Sequence, residues 1–179
     1  MLGGGEYTHY SSAELIAECE LIVHGMVEST RVEEWKPTNS NNPDPTLNPQ
    51  AGLSPEELAE RPTFVVTVVT VRVIETIKGD VAPGELIEVY QMGGLHKGVR
   101  YVEYGTAMMT ADRKNGYLLF LNEHPGSPYG LPNPQQALFL VDDNGGLEAV
   151  GGELSLPFSS IEHVRAEVAE VEKAAGTTE

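Results

Sequence analysis

Aromatic and polar side chains in and beside two proline-rich stretches give this sequence its strongest signal for binding chemistry. Trp35 lies in residues 33–62, Tyr129 lies in residues 124–136, and Tyr90 lies in the predicted strand 85–91. Such rings combine an apolar body with a polar tip, which suits a sugar, a peptide or another protein. The predicted binding residues are Trp35, Arg72, Tyr90, Gln91, Tyr129 and Leu131. The plainer alternative is that Trp35 only covers the edge of the fold.

Residue types that hold metals or attack carbonyl groups are present, but they form no motif. The five histidines are far apart in the sequence, and no pair has the short spacing of zinc ligands. Residues 142–146, DDNGG, lack the later glutamate of an EF-hand and favour a hairpin turn. Cys19 lies on the apolar face of a predicted short helix, where cysteine acts as a small hydrophobic residue. We therefore predict no catalytic residue, no metal and no cofactor.

Two alternatives of other classes stay open. One is a hydrolytic enzyme or enzyme inhibitor whose polar groups meet only in the folded chain. The other is single-stranded nucleic-acid binding, which the charge disfavours. The chain has 27 acidic and 11 basic residues and a net charge of -16. A nucleic-acid site needs several Lys and Arg on one face, and here only Arg113 and Lys114 are adjacent.

The length and composition predict one domain that folds by packing alone. A chain of 179 residues is long enough for one core, and a single cysteine excludes an internal disulfide. No segment has the ~20 apolar residues of a membrane helix. We assign residues 1–10 to a flexible amino terminus and residues 11–176 to the domain. The first residues lack the basic and apolar regions of a signal peptide.

The elements that must position the binding residues are organised around residues 63–92. This stretch is dense in β-branched residues and predicts a long strand, a turn and a second strand. The apolar phase slips between Val68 and Val69, and a slip of one residue indicates a bulge or a bend. Gly25, in the middle of the predicted strand 21–30, indicates a second bend. Two bends favour a closed, strongly coiled barrel.

The other elements complete a mainly β prediction. Capping-box spacing predicts helices after Ser11 and Ser54, and Ser159 with Glu162 predicts a carboxyl-terminal helix to about residue 175. Residues 33–62 are predicted to form a long loop insertion, residues 93–116 an irregular connector with a short strand, and residues 117–123 a strand. Residues 137–150 predict a hairpin. We expect a five- to six-stranded OB-like Greek-key barrel carrying a short amino-terminal helix and a carboxyl-terminal helix. A β-sandwich is the alternative.

Several segments resemble those of small, mostly uncharacterised bacterial proteins with an OB-like, netrin-like barrel. The similar stretches are AECELIVHGMV, VIETIKGD and GYLLFL, and the resemblance covers most of the chain outside residues 33–62. It implies an extracytoplasmic, secreted or lipid-anchored protein whose export signal has been removed, with a cytoplasmic location as the alternative. The tissue inhibitors of metalloproteinases share this barrel, but they use an amino-terminal cysteine. Cys19 lies inside a helix, so we do not expect that mode of inhibition.

From these observations we predict a non-enzymatic binding or protein-interaction module at the cell envelope. Its partner is expected to be a protein, a peptide or a saccharide, and not a nucleic acid. OB-type barrels bind across their second and third strands and the flanking loops. The two proline-rich stretches occupy the positions of those loops.

Overall fold

The computed structural model describes residues 7–36, 52–103, 105–151 and 154–176. The described chain contains three helices and seven strands. The helices are α1 (Ser12–Glu18), α2 (Pro55–Ala59) and α3 (Ile161–Gly176). The strands are β1 (Leu21–Trp35), β2 (Phe64–Lys78), β3 (Leu86–His96), β4 (Val99–Val102), β5 (Tyr117–Leu121), β6 (Leu138–Val141) and β7 (Leu147–Ala149).

The strands form one antiparallel sheet in the order β4-β3-β2-β1-β5-β6-β7. The mainly β prediction with a carboxyl-terminal helix is therefore confirmed. The strand count is seven rather than five to six, and within the described residues no ladder joins β4 to β7. The closed barrel is not confirmed by this topology.

A two-residue segment, Tyr129 and Gly130, lies between β3 and the end of β5. The Tyr129 amide donates to the Glu88 carbonyl at 2.8 Å, and the Tyr90 amide donates to the Tyr129 carbonyl at 3.0 Å. On the other side, Asn122 and Gly130 exchange two backbone hydrogen bonds of 2.9 and 3.0 Å. The contact with β3 is parallel and the contact with Asn122 is antiparallel. The proline-rich stretch 124–136 is thus fastened to two strands.

Two hydrophobic clusters lie on opposite faces of the sheet. One cluster lies on the face away from helices α1 and α3 and includes Val69, Val71, Val89, Leu119 and Leu121. The other lies between the sheet and helices α1 and α3, and includes Leu15, Ile16, Ile22, Phe120, Phe139, Phe158, Val164 and Val168. The carboxyl-terminal helix therefore docks on the sheet through its valine stripe, as predicted.

Local signals predicted the helices and one of the two bends. Ser11 and Glu14 form a complete capping box at the start of α1, and Ser54 and Glu57 form another at α2. The bend at Gly25 is confirmed, because the β1–β2 register shifts between His24 and Gly25. A Cβ atom there would lie 2.4 Å from Val71 Cγ1, so the close approach of β2 requires glycine.

The phase slip after Val68 does not mark a bulge in β2; the nearest register shift lies in β1, between Val27 and Ser29, opposite Val71 and Thr70. The pairing of β2 with β3 runs without a shift from Val66 to Arg72. The apolar phase changes because residues 65–69 are buried on both faces of the sheet. A continuous apolar run is the pattern of a strand covered on both sides, and it needs no bulge.

Three predicted boundaries also differ from the structure. The first strand continues through Trp35, so residues 33–35 belong to β1 and not to the long loop; residues 37–51 of that loop lie outside the described residues. Strand β3 extends to His96, into the predicted irregular connector. Helix α3 begins one residue later than predicted, since the Ser160 hydroxyl accepts a hydrogen bond from the His163 amide at 3.1 Å.

Candidate ligand-binding site

Three ring side chains from different parts of the sheet form a row. The Trp35 and Tyr90 ring centroids are 5.1 Å apart, and those of Tyr90 and His124 are 5.9 Å apart. The row exists because Trp35 ends β1, Tyr90 lies in β3, and His124 follows β5 and the Asn122–Gly130 contact. Val66 and Val68 of β2 pair with these outer strands and are fully buried between them. We call Trp35, Tyr90 and His124 the aromatic row.

A chain of charged hydrogen bonds fixes one end of the aromatic row. The Arg31 guanidinium binds Glu33 at 2.5 Å and reaches both oxygens of Glu88 on β3, with one N–O distance of 2.9 Å. The other Glu33 oxygen accepts the indole N–H of Trp35 at 2.8 Å. This indole hydrogen bond and the Arg31 guanidinium lower the pKa of Glu33. The indole is therefore oriented by a carboxylate that stays ionised at neutral pH.

A cavity of about 340 Å³ opens beside the aromatic row. Its lining is mainly aromatic and apolar, with a single carboxylate and no basic residue. The lining residues are Tyr7, Tyr90, Gln91, Met92, Glu103, Thr106, Leu131 and Pro134. We call this cavity the tyrosine cleft. A concave apolar site with a few polar groups is the usual form of a small-ligand pocket.

The ionisable groups that line the tyrosine cleft are two phenols and a carboxylate. The Tyr7 hydroxyl donates a short hydrogen bond to Glu103 Oε1. Burial, followed by the hydrogen bond to Glu103, raises the pKa of Tyr7. Burial also raises the pKa of Tyr90, with a smaller contribution from the Glu103 charge. Both phenols therefore keep their protons at neutral pH and offer a hydroxyl beside a ring face.

Gln91 has a mainly structural part in this region. Its side chain is 5% exposed, its amide group donates to the Ala107 carbonyl at 2.9 Å, and its oxygen accepts the Met109 amide at 2.8 Å. Both polar atoms are thus used to hold residues 107–109 against β3. Gln91 lines the tyrosine cleft, but its hydrogen-bonding capacity is already engaged there.

Tyr129 and Leu131 flank the aromatic row from the second proline-rich stretch. Leu131 lines the tyrosine cleft. Tyr129 lines a separate cavity of about 370 Å³ together with Pro128 and three acidic residues, Asp80, Glu85 and Glu88. Burial, followed by the charges of Glu123, Glu85 and Glu20, raises the pKa of Tyr129. Tyr129 and Leu131, which were predicted to share one binding site, therefore line two different cavities.

Arg72 lies away from the aromatic row. It pairs with Leu86 at the start of β3, whereas Tyr90 pairs with Val68. Its guanidinium binds Glu28 at 2.6 Å and the Gly84 carbonyl at 3.3 Å. The structure thus brings together Trp35, Tyr90, Gln91 and Leu131, with Tyr129 adjacent, and leaves Arg72 outside.

Sequence reasoning missed Tyr7, Glu103 and His124. Tyr7 belongs to the segment assigned to a flexible terminus, yet Asn133 and Gln136 hydrogen-bond to the backbone of Thr8 and Tyr10 at 2.9–3.0 Å. A side-chain amide can hydrogen-bond to a backbone peptide group anywhere in the chain. The sequence therefore carries no local sign of this contact. His124 could have been predicted as a site residue. It directly follows the predicted strand 117–123 and is the first residue of the proline-rich stretch that contains Tyr129.

Within the described residues, one serine, one histidine and one carboxylate form a hydrogen-bonded series. It lies on the outer surface of α3. Ser159 Oγ is 3.2 Å from His163 Nδ1, and His163 Nε2 is 3.0 Å from Glu167. However, the backbone N–H of Ser159 also donates to His163 Nδ1 at 3.3 Å, and Ser159 is exposed. The arrangement therefore resembles a helix cap. Cys19 was predicted to lie inside the first helix, but it is the extended C-cap residue that follows α1. It is 1% exposed, and burial raises its pKa to about 12, so its thiol stays protonated at neutral pH.

The described residues contain neither a metal-binding cluster nor a membrane-spanning helix. No three His, Cys, Asp or Glu side chains there lie close enough together to hold a metal ion. Within the same residues, no helix has the length and apolar character needed to span a bilayer.

The comparisons with known proteins assign no family to the chain. The sequence matches no protein-family model, and no curated protein is similar enough to count as a relative.

Proposed function

We propose that this protein is a non-enzymatic binding module that holds a peptide or a saccharide in the tyrosine cleft and against the aromatic row. The observation that carries this proposal is the position of Tyr90. Its ring contacts both Trp35 and His124, and the same residue lines the tyrosine cleft together with Tyr7. One residue thus joins a stacking surface to a concave pocket.

The lining favours an uncharged or cationic ligand. The rings offer flat apolar faces, while Tyr7, Tyr90, Glu103 and the Trp35–Glu33 pair supply hydrogen-bonding groups at their edges. Aromatic faces with polar tips suit both sugar rings and extended peptides. A phosphate-rich ligand would meet Glu103 and a net charge of -16, which supports the exclusion of nucleic acid.

We extend the proposal to an OB-like, netrin-like barrel that acts outside the cytoplasm. The barrel is supported by the parallel contact of Tyr129 with Val89 and the antiparallel contact of Gly130 with Asn122, because these place a short segment between β3 and β5. The five-stranded OB barrel is itself only partly open. The location follows from the resemblance of the strand segments to exported bacterial proteins.

Trp35 is the single tryptophan, so its fluorescence reports directly on the proposed site. We would titrate the protein with a panel of neutral oligosaccharides and of extended peptides, and measure Trp35 emission and the heat of binding. A ligand of the site should change the emission and should bind at least about tenfold more weakly to Tyr90→Ala, as expected for a central aromatic contact.

The matched control for that experiment is Ile74→Ala, which removes an exposed apolar side chain of β2 outside the cleft. Its affinity should equal that of the wild type. Binding that leaves Trp35 emission unchanged, or that Tyr90→Ala and Ile74→Ala weaken equally, would contradict the proposed site.

A further inference from the structure

Glu103 supplies the single carboxylate in the lining of the tyrosine cleft, and no cation of the described chain pairs with it. The side chain is half-buried, and the ion pairs among the described residues do not include it. By contrast, Glu28, Glu34 and Glu88 of the sheet strands each have an arginine or lysine partner. A carboxylate that is drawn out of water costs free energy unless a cation compensates it. The cleft therefore lacks one positive charge.

Two neutral rings lie beside this carboxylate. Burial is the first cause of the raised pKa of both Tyr7 and Tyr90, and the negative charge of Glu103 adds to the shift of each. Glu103 is thus close enough to both phenols to act on them electrostatically. Aromatic rings attract cations as well, and rings next to a carboxylate form a common site for an ammonium group.

A short turn holds Glu103 in place. The Thr106 hydroxyl donates to the Glu103 carbonyl at 3.1 Å. Gly105 has a φ of +76°, and a Cβ atom there would lie 2.3 Å from Gln135 Nε2. The turn 103–106 therefore packs closely against residues of the second proline-rich stretch, where Pro134 lines the opposite side of the lining. A carboxylate that is fixed before the ligand arrives loses little conformational freedom on binding.

Tyr7 orients the carboxylate and occupies one of its two oxygens. Asn133 and Gln136, which are 0% and 4% exposed, hold the backbone of Thr8 and Tyr10. From that fixed backbone the Tyr7 hydroxyl donates to Glu103 Oε1. No donor among the described residues binds the second oxygen, Oε2. This oxygen keeps its capacity for a hydrogen bond from a ligand.

One free oxygen favours an ammonium group over a guanidinium group. An arginine makes its strongest contact when its planar fork reaches both oxygens, as Arg31 does with Glu88. An ammonium group is a compact point charge that can bind a single oxygen. Because Tyr7 already engages Oε1 of Glu103, the carboxylate suits the compact cation better.

This inference rests on the proposed function of the tyrosine cleft and names the ligand more closely. We propose that Glu103 Oε2 binds a primary ammonium group of an extended peptide, beside the rings of Tyr7 and Tyr90. A lysine side chain and a free amino terminus carry the same group. The methylene groups next to it can contact Met92 and Leu131 of the lining. The net charge of -16 attracts such a ligand from a distance.

Calorimetric titration of the full chain with five short peptides tests the proposal. Four are capped at both ends, have a leucine and a glycine on each side, and differ only in a central lysine, acetyl-lysine, norleucine or arginine. The fifth has the norleucine centre and a free amino terminus. A peptide with an ammonium group should bind about tenfold more tightly than its neutral counterpart, because a hydrogen bond to a charged group replaces none. The lysine and amino-terminal arms show which source the cleft accepts.

Glu103→Gln keeps the shape of the side chain and removes its charge. This variant should abolish the preference for the ammonium peptide over the neutral one. Glu148→Gln is the matched control, because it removes one exposed carboxylate of β7 and changes the net charge equally. The control should retain the preference. Thermal unfolding confirms that both variants fold, and the peptide comparison on the wild type needs no variant.

Tyr7→Phe tests the positioning role of the Tyr7 hydroxyl. The change frees Oε1 of Glu103, so both oxygens become available to a guanidinium fork. The affinity of the arginine peptide relative to the lysine peptide should rise by about threefold or more. A purely structural role for Tyr7 would weaken both peptides by the same factor and leave their ratio unchanged.

The possible failures separate this proposal from the proposed function. Equal binding of the charged and neutral peptides by the wild type, with Tyr90→Ala weakening both, would overturn the ammonium site and leave the binding cleft intact. A preference that Glu148→Gln abolishes as completely as Glu103→Gln would assign it to overall charge. A wild type that binds none of the five peptides at millimolar concentration also overturns the proposal, and the oligosaccharide titration then decides the proposed function separately.

Discussion

Two groups of three rings in this protein have similar spacing and opposite surroundings. Phe120, Phe139 and Phe158 lie 5.3–6.0 Å apart and are at most 4% exposed between the sheet and the helices. The aromatic row has centroid distances of 5.1 and 5.9 Å, but His124 is exposed, and the Trp35 and Tyr90 rings carry polar groups. Ring contact alone therefore does not mark a site. Exposure, polar tips and an adjacent cavity separate a binding surface from a core.

The strongest test of this comparison removes a ring from the buried group. Phe120→Ala should lower the free energy of unfolding by about 3–5 kcal/mol, because it leaves a cavity among fully buried neighbours. Urea denaturation measures the change. A loss below about 1 kcal/mol would mean that the three phenylalanines do not form a tightly packed core.

The complementary test removes a ring from the aromatic row. Trp35→Ala should weaken ligand binding by about tenfold or more while changing the free energy of unfolding by only about 1 kcal/mol, since the ring is half-buried. Calorimetric titration and urea denaturation give the two numbers. If stability fell as far as in Phe120→Ala and binding did not change, Trp35 would only be covering the edge of the sheet.

A pH titration examines how the aromatic row is oriented. The pKa of Glu33 is lowered in the folded chain, first by the Trp35 indole and then by Arg31. The contribution of this carboxylate is therefore present above its unfolded pKa of about 4.3 and is lost as the pH falls through the lower folded value. Trp35 emission should change below that pH. Glu33→Gln should abolish this step while keeping the emission of a folded protein, and a step that persists in the variant would assign it to another group.

The smallest effect is expected at the edge of the buried group of phenylalanines. There the ring centroids of Phe158 and His163 are 6.1 Å apart. Ser159→Ala should leave the hydrolysis of a test ester at the rate of buffer alone, as in the wild type, and should change stability by no more than about 1 kcal/mol. A wild-type esterase rate that falls in Ser159→Ala and in His163→Ala would instead support the enzyme alternative and would place function next to the core.

The sequence predicted the elements whose signals are local. Capping boxes at Ser11 and Ser54, the bend at Gly25 and the turn near Asp143 all depend on residues close in the chain. The slip after Val68 was misinterpreted because burial on both faces and a bulge give the same pattern in a single strand. Strand β1 was predicted too short because Arg31, Glu33 and Glu34 are charged, as is typical of loops. In the structure Arg31 pairs with Glu88 of β3 and Glu34 pairs with Lys97, while Glu33 pairs with Arg31 within β1.

The candidate site was predicted in part for the same reason. Trp35, Tyr90 and Leu131 could be chosen by residue type and by their position near strand ends. Tyr7 and Glu103 meet across 96 residues, and Gln91 is engaged by a backbone carbonyl 16 residues away. Contacts between residues so far apart in the chain depend on the three-dimensional path of the sheet, and a local sequence pattern does not encode that path.

The fastening of Tyr129 and Gly130 gives the cleft a property that can be followed amide by amide. Four peptide N–H groups, those of Tyr90, Asn122, Tyr129 and Gly130, hold that segment to its neighbours. Leu131 directly follows Gly130. A ligand that contacts both Leu131 and Tyr90 should therefore stabilise all four of these hydrogen bonds. Ligand addition should slow deuterium uptake at these four amides by a similar factor, because they are protected as one cooperative unit rather than as four independent hydrogen bonds.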